Sequence, residues 1–340
     1  MSSRIPLAAA LALCVGLLSC NEYNFQGSLI EDIFFQEPAS QVDILFVMDN
    51  SVSMEQEQND VAENFEKFIL NIEETNADWQ IGIITTDMVD VTQRGRLQGE
   101  PAIIKPDTPD YQGAFATNIR VGTDGYPIER GLSAALAAVT APLTTHENEG
   151  FIREDATLAI VVVSDENDCS DNGVLIGDDQ AACYQEADKL VPVPQFVTAL
   201  RESKVEPTMV TFSAIVELES DSGYASCGEA STGHRYIKVA NMLGGITRSI
   251  CGEYDDVMDE MGLSVAGMRS SFLLSRTPDV CSITATIDNV EVPRDDTKTN
   301  GWTYDLESNY ILFFGTAVPP RASTITVTYS SGNGALDCEN

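Results

Sequence analysis

Apolar residues recur along the chain in short, uninterrupted runs separated by longer mixed segments. The first two thirds of the sequence contain four such runs, VDILFVM at 42–48, WQIGIIT at 79–85, TLAIVVV at 157–163 and TMVTFSAIV at 208–216. Runs of this length that are apolar at successive positions are typical of strands buried on both faces of a parallel sheet.

The segments between these runs have the character of helices. Residues 54–73, 126–141 and 186–203 carry apolar residues at helical spacing or lie where a crossover helix is needed, although Pro192 and Pro194 disfavour part of the third. A last helix pair is predicted at 234–244 and 254–269. Strands alternating with helices predict an α/β fold with a doubly wound, mostly parallel sheet flanked by helices.

The pattern changes near Cys281. SITATIDNVEV and STITVTYS alternate with a period of two, and GWTYDLESNYILFF lies between them. Alternation of this kind predicts strands with one buried face. We therefore divide the main body of the chain into an α/β domain at 41–276 and a small β-rich module at 277–340.

The N-terminus has the features of an export signal. Arg4 precedes an apolar run from Ile5 to Leu18, which is too short to span a bilayer comfortably. Residues 1–20 end in Leu-Leu-Ser-Cys and resemble the lipobox of bacterial lipoproteins. This resemblance implies that Cys20 is acylated, that residues 21–40 form a tether, and that the protein is attached to the outer membrane, facing the periplasm or the exterior. An ordinary secretory signal, with Cys20 incidental, is the alternative.

Six cysteines remain after Cys14 and Cys20 are set aside, which suits an exported protein with three disulfides. Zinc binding is disfavoured because no C-x-x-C pair occurs and only two histidines could assist. We expect pairing in sequence order: Cys169 with Cys183, Cys227 with Cys251, and Cys281 with Cys338.

The charge of the chain restricts its partners. The sequence has 19 basic and 53 acidic residues, a net charge of −34. A phosphate backbone would be repelled over most of this surface, so we exclude nucleic acid as a partner. We expect a monomer that contacts the membrane only through its N-terminal lipid.

Candidate metal ligands lie in three separate segments of the chain. Asp49, Ser51 and Ser53 form a D-x-S-x-S motif directly after the first strand, Thr123 precedes a predicted helix, and Asp165 follows the strand at 157–163. The carboxyl ends of parallel strands meet at one edge of a sheet, so these oxygens should converge. Oxygen-only sites suit Mg²⁺ or Mn²⁺, and Ca²⁺ is the third candidate.

The run VDILFVMDNSVSM, the Gly-Thr before a helix and the segment IVVVSDENDCS resemble the metal-ion-dependent adhesion site of von Willebrand factor A-type domains. The resemblance assigns Asp49, Ser51, Ser53, Thr123 and Asp165 to the five positions of that site. It implies that the hydroxyls contact the metal, that the aspartates often act through water, and that a ligand carboxylate completes the shell. The wider pattern is similar to uncharacterised lipid-anchored lipoproteins of Gram-negative bacteria. A helix N-cap is the alternative role for Asp49 and the serines.

A second acidic stretch comes close to a calcium-binding loop. Asp168, Ser170, Asn172 and Asp179 occupy ligand positions of that pattern, but Ile176 stands at the ninth position and the twelfth residue is Asp rather than Glu. The alternative is a surface loop closed by the Cys169–Cys183 disulfide.

These features favour a binding protein over an enzyme. The predicted function is metal-dependent capture of a protein ligand that exposes an Asp or Glu side chain. A structural envelope scaffold is the first alternative. A metal-assisted hydrolase is disfavoured, because the sequence lacks G-x-S-x-G, H-E-x-x-H and a nucleophile with a plausible base in His146 or His234.

Overall fold

A six-stranded sheet forms the centre of the larger part of the molecule. The computed structural model describes residues 29–36, 40–175, 181–221, 231–267, 271–297, 299–306, 309–320 and 322–332. Its strands are β1 (Leu29–Phe35), β2 (Gln41–Met48), β3 (Asp78–Thr85), β4 (Ile103–Ile104), β5 (Thr157–Val163), β6 (Val210–Val216), β7 (Thr247–Ser249), β8 (Ser271–Leu273), β9 (Thr284–Ile287), β10 (Val290–Val292), β11 (Gly301–Asp305), β12 (Tyr310–Phe314) and β13 (Thr324–Ser330).

The helices are α1 (Glu55–Glu63), α2 (Phe65–Glu73), α3 (Tyr111–Asn118), α4 (Gly131–Ala138), α5 (Ala182–Gln185), α6 (Val193–Glu202), α7 (His234–Leu243) and α8 (Tyr254–Val265). The central sheet has the order β4-β3-β2-β5-β6-β7, in which only the short edge strand β4 runs antiparallel to its neighbour. The predicted α/β class with a mostly parallel sheet is confirmed.

Both faces of this sheet are buried. On β2, Ile44 and Phe46 belong to one apolar cluster with residues of α1, α2, α3 and α8, whereas Leu45 and Val47 belong to another with residues of α4, α6 and α7. Each face therefore needs its own layer of helices, which explains why β2 is apolar at almost every position.

The helices differ from the prediction in several places. The segment at 54–73 divides into α1 and α2 at Asn64, and only residues 131–138 of the segment at 126–141 are helical. Helix α3 was not predicted; the side chain of Asp110 caps it by accepting a hydrogen bond from Gly113 N. Pro194 lies in the first turn of α6, where its missing N–H costs little, so the helix begins there instead of being broken.

The C-terminal part is β-rich, as its alternation predicts. It contains one antiparallel sheet of order β1-β13-β9-β10 and another of order β11-β12-β8. Strand β8 lies before residue 277, so strands of this module begin earlier than the predicted boundary.

The prediction of a tether over 21–40 is wrong for residues 29–35. These residues form β1, which pairs antiparallel with β13 along its whole length, from Leu29 opposite Ser330 to Phe35 opposite Thr324. Ile30 and Phe34 pack against the core of the β-rich module, and the rings of Phe34 and Phe272 lie 5.1 Å apart. The alternation in LIEDIFF is therefore that of a strand with one packed face.

One predicted disulfide is present, joining Cys169 to Cys183 with the two Cα atoms 5.4 Å apart. Cys251 and Cys281 are also disulfide-bonded. Their predicted partners Cys227 and Cys338 lie outside the described residues, as does Cys20. Within the described part of the chain, no helix is long and apolar enough to cross a membrane.

Candidate metal centre

The loops that follow β2, β5 and β6 are joined where these parallel strands end. Asp49 N donates to Val163 O at 3.0 Å, and Ser164 N donates to Ile215 O at 3.1 Å. The first residues after neighbouring strands are therefore held side by side, which brings the loops containing Asp49 and Asp165 together at one edge of the sheet.

Asp49 is fully buried and held by two hydrogen bonds to its carboxylate. Oδ1 accepts from Ser51 N at 2.8 Å, and Oδ2 accepts from the Ser164 hydroxyl at 2.6 Å. No Lys or Arg side chain pairs with it among the described residues. A buried carboxylate held only by neutral donors is an electrostatic cost that a cation would offset.

The hydroxyls of Ser51 and Ser53 face each other, with their oxygens 3.2 Å apart. Ser51 is the N-cap of the short 3₁₀ turn at 52–54, yet its side chain makes no capping hydrogen bond, and the N-cap of α1 is Met54. The alternative of a simple helix cap is therefore wrong for these serines. The two hydroxyl oxygens instead lie close together next to Asp49.

Asp165 supplies a second carboxylate to the same place. Desolvation raises the pKa of both Asp49 and Asp165; the charge of Asp165 raises the pKa of Asp49 further, and a hydrogen bond with the Ser53 hydroxyl partly offsets the rise for Asp165. The three side chains therefore lie within interaction range. The Oδ1 atom of Asp165 is buried and has no hydrogen-bond partner within the described part of the chain. A buried carboxylate oxygen without a donor is rare and calls for a partner.

The loop that carries Thr123 is tied to the Asp49 segment at two points. The side-chain amide of Gln58 donates to Asp49 O at 3.1 Å and to Gly122 O at 2.8 Å, and Gly125 N donates to Asn50 O at 2.8 Å. Thr123 is half-buried between these two attachments. The fold thus places the loop that carries Thr123 against the segment that carries Asp49, Ser51 and Ser53.

Burial and mutual repulsion raise the pKa values of the carboxyl groups here. Desolvation, and then the charge of Asp165, raise the pKa of Asp49 to about 6. Desolvation also raises the pKa of Asp165 and of the nearby Glu57, whose Oε2 atom has no partner among the described residues. Shifts in this direction mean that the charged forms are poorly compensated in the structure.

Two further acidic residues, Glu129 and Glu166, adjoin the site and were missed by sequence reasoning. Desolvation, followed by the charge of Asp49 and contact with Glu166, raises the pKa of the almost fully buried Glu129. Desolvation likewise raises the pKa of Glu166, and the charges of Asp49 and Asp165 raise it further. The sequence gives only a weak indication that Glu129 belongs to this site, because it is a single Glu before helix α4 and only the fold brings it close to Asp49.

The oxygens in the five predicted positions fit a hard divalent cation. Two carboxylates, two serine hydroxyls and a threonine form an oxygen-only set, which is the preference of Mg²⁺ and Mn²⁺. Across the described ranges, no group of three or more His, Cys, Asp or Glu side chains is arranged as a metal site. This absence does not argue against the five predicted ligands, because three of their five side chains are hydroxyls rather than carboxylates.

The structure does not support the predicted calcium loop. The carboxylate of Asp168 is fully buried and accepts four hydrogen bonds, from Leu132 N, Ser170 N, the Ser170 hydroxyl and Arg235 Nε. The Ser170 oxygen in turn accepts from Ser133 N, and Asn172 is exposed in a left-handed conformation. Asp179 lies outside the described residues. Because both oxygens of Asp168 accept hydrogen bonds from the protein, this loop connects α4 to α7 and stabilises their positions.

Comparisons with known proteins add little to this picture. No family model and no curated protein matches the chain. Among solved structures it is similar to the open conformation of the pilus adhesin SpaC from Lactobacillus rhamnosus GG, at 10% identity and a TM-score of 0.39 over 89% of this chain and 41% of the adhesin. Another form of that adhesin gives 11% identity and a TM-score of 0.37 with the same coverage. The chain thus spans about two fifths of the adhesin's length, and so distant a likeness indicates no ligand.

Proposed function

We propose that this protein is a lipid-anchored component of the bacterial cell envelope that captures a protein ligand through a divalent metal ion. Asp49, Ser51, Ser53, Thr123 and Asp165 would hold the ion. The observation that carries the proposal is the pairing of the fully buried Asp49 with the half-buried Asp165 beside two converging hydroxyls. No Lys or Arg side chain of the described ranges forms an ion pair with either carboxylate.

The electrostatics of the site favour a bound cation. In the folded chain desolvation raises the pKa of both Asp49 and Asp165, and the charge of Asp165 raises the pKa of Asp49 further. A divalent ion would replace repulsion with attraction and give a partner to the Oδ1 atom of Asp165, which has none among the described residues. Mg²⁺ and Mn²⁺ fit best, and Ca²⁺ would tolerate the same oxygens with a looser shell.

The ligand chemistry follows from the protein's own donors. Five side chains, acting directly or through water, leave a place in an octahedral shell of six oxygens. A carboxylate from another protein is the oxygen donor that would both fill this place and balance the charge of the ion. None of the described residues at the site is a nucleophile paired with a histidine: His146 contacts Pro142 O, and His234 lies near Glu219. This arrangement supports binding rather than hydrolysis.

Thermal unfolding of the mature chain tests the metal site. The chain would be melted in EDTA and in Mg²⁺, Mn²⁺ or Ca²⁺, beside Asp49→Asn, Asp165→Asn and the control Asp107→Asn, which changes an exposed carboxylate elsewhere. A cation at about 100 times its dissociation constant should stabilise the wild type and the control by about 2.7 kcal/mol, and the two site variants much less.

If none of the cations stabilises the wild type more than Asp49→Asn, the metal site is wrong and a structural role in the envelope becomes the better proposal. Release of the protein from membranes when Cys20 is replaced by Ser would test the lipid anchor separately. A chain that stays membrane-bound without Cys20 would contradict that part of the proposal.

A further inference from the structure

Large apolar side chains are exposed around the candidate metal centre. Four of them form what we call the apolar rim: Val52, Val89, Val91 and Tyr184, which are 82%, 43%, 60% and 52% exposed. Exposed apolar residues occur singly on most proteins, so their position relative to the metal ligands is what matters.

Val52 is part of the D-x-S-x-S motif itself. It lies between Ser51 and Ser53, whose hydroxyls converge at 3.2 Å, and it is the most exposed large apolar residue of the described chain. Because its neighbours on both sides contribute hydroxyls to the site, a partner bound there would lie close to this exposed side chain.

Val89 and Val91 lie on the loop after β3, next to the Asp49 segment. The side-chain amide of Asn50 donates to Gln93 Oε1 at 3.0 Å, which places this loop at the same edge of the sheet. Two residues of chain span at most about 7 Å, so Val91 lies close to Gln93, as Val52 lies close to Asn50.

This loop is held in a fixed conformation. Arg94 donates to Met88 O at 2.9 Å and to Val89 O at 3.0 Å, and the carboxylate of Asp87 accepts from Val89 N at 2.6 Å. Exposed aliphatic side chains on a braced loop lose little conformational entropy on binding, which favours a recognition surface.

Tyr184 is linked to Asp165 through Ser231. Its hydroxyl is 2.7 Å from the Ser231 hydroxyl, and Ser231 N donates to Asp165 O at 2.8 Å. The adjacent Cys183 is fixed to Cys169 by a disulfide. The ring of Tyr184 is therefore presented from the β5 side of the centre, while the three valines come from the loops after β2 and β3.

We propose that the apolar rim selects the ligand: a protein segment in which a single Asp or Glu is flanked by aliphatic side chains. This inference rests on the proposed function, since the metal would hold the carboxylate. A segment with several acidic residues is disfavoured by the protein's net charge of −34. The flanking positions would instead bury apolar surface against the valines and the tyrosine, as the central parts of protein interfaces do.

Valine-methyl NMR of the mature chain, with short acetylated peptides as probes, tests this inference. Three peptides with one central Asp would be compared in Mg²⁺ and in EDTA, with the Asp flanked by Leu, by Ser or by Lys. We expect the Leu-flanked peptide to shift the methyl signals of Val52, Val89 and Val91 and to bind about tenfold more tightly than the Ser-flanked peptide, the ratio that burial of part of two leucines would give.

The variant Val89→Ser/Val91→Ser should lose this preference, whereas Val205→Ser should keep it. Val205 is 68% exposed and precedes β6, at the opposite edge of the sheet. Both variants should still be stabilised by Mg²⁺ in thermal unfolding, which shows that the metal centre is intact.

The outcomes separate the two proposals. If Mg²⁺ has no effect on unfolding, the metal centre and the rim proposal both fail. If Mg²⁺ stabilises the chain but Ser-flanked or Lys-flanked peptides bind as well as the Leu-flanked one, the metal centre stands and the rim proposal is overturned.

Discussion

Asp49 gives the metal-free protein an unusual dependence on pH. Its pKa is about 6 in the folded chain and about 3.8 as a reference, so the folded state holds the proton more tightly than the unfolded state does. Stability therefore falls as pH rises through this interval, by at most about 3 kcal/mol from this residue, since each pKa unit corresponds to about 1.4 kcal/mol.

We predict that in EDTA the free energy of unfolding of the wild type increases relative to that of Asp49→Asn as the pH is lowered from 7 to 5. Denaturant titrations at pH 5, 6 and 7 would measure it. The comparison with Asp49→Asn removes the contribution of the other carboxyl groups. Parallel pH profiles for the two proteins would show that Asp49 titrates normally and is not buried as described.

Gly125 is needed where the Thr123 loop meets the Asp49 segment. A Cβ atom at this position would lie 2.5 Å from the side-chain amide of Asn50 and 2.6 Å from Asn50 O. Gly125→Ala should therefore push the loop away, with a cost of about 1–3 kcal/mol and a loss of about tenfold or more in Mg²⁺ affinity.

Gly150→Ala is the matched control for Gly125→Ala. Gly150 has a positive φ of 84° but open space around its Cβ position, so the substitution strains the backbone away from the site. It should lower stability and leave Mg²⁺ affinity unchanged, as measured by calorimetric titration. Equal loss of affinity in both variants would contradict the role assigned to the contact between Gly125 and Asn50.

At the scale of elements, the loop after β5 holds helices α4 and α7 together. Asp168 accepts from Leu132 N at the start of α4 and from Arg235 in α7, and Arg130 pairs with Asp171 at 2.7 Å. Removing one partner from such a buried network leaves charges uncompensated, which costs more than the net contribution of the pair.

Asp168→Ala should therefore destabilise the chain by about 3–5 kcal/mol. The loss should be the same in EDTA and in Ca²⁺, because its carboxylate oxygens already accept protein donors. Denaturant unfolding in both conditions measures it, with Asp188→Ala as an exposed control. A destabilisation that appears only when Ca²⁺ is present would restore the calcium-loop interpretation.

At the scale of the whole molecule, the two ends of the described chain are joined by the pairing of β1 with β13. Phe34 packs against Phe272 in the β-rich core, while its neighbour Phe35 is 62% exposed on the other face. These two residues form a matched pair for testing whether β1 belongs to the β-rich module.

We predict that Phe34→Ala lowers hydrogen-exchange protection in β13 and β9, with a cost of about 1–3 kcal/mol for a partly buried ring, and that Phe35→Ala changes it by less than about 0.5 kcal/mol. Protection in β2 and β5 should change less, because they belong to separate apolar clusters. Equal effects of the two substitutions would show that β1 is a tether after all.

The sequence alone determined the features that depend on neighbouring residues. Burial on both faces leaves a continuous apolar run in a strand such as β2, and one-sided burial leaves the alternation of β13, so both classes of sheet could be predicted. The strand ends also predicted that the loops containing Asp49 and Asp165 would meet, because parallel neighbours end at the same edge. The expected pairing in sequence order is confirmed for Cys169 and Cys183.

Tertiary structure decided the features that depend on distant partners. Residues 29–35 became a strand because β13, almost 300 positions later, offers them a partner. Folding also brings Glu129 and Glu166 close to Asp49, and it gives the carboxylate of Asp168 protein donors such as Arg235. The physical reason is that local periodicity reports which faces of a segment are buried, whereas the state of a charge or a strand edge depends on which groups the fold brings against it.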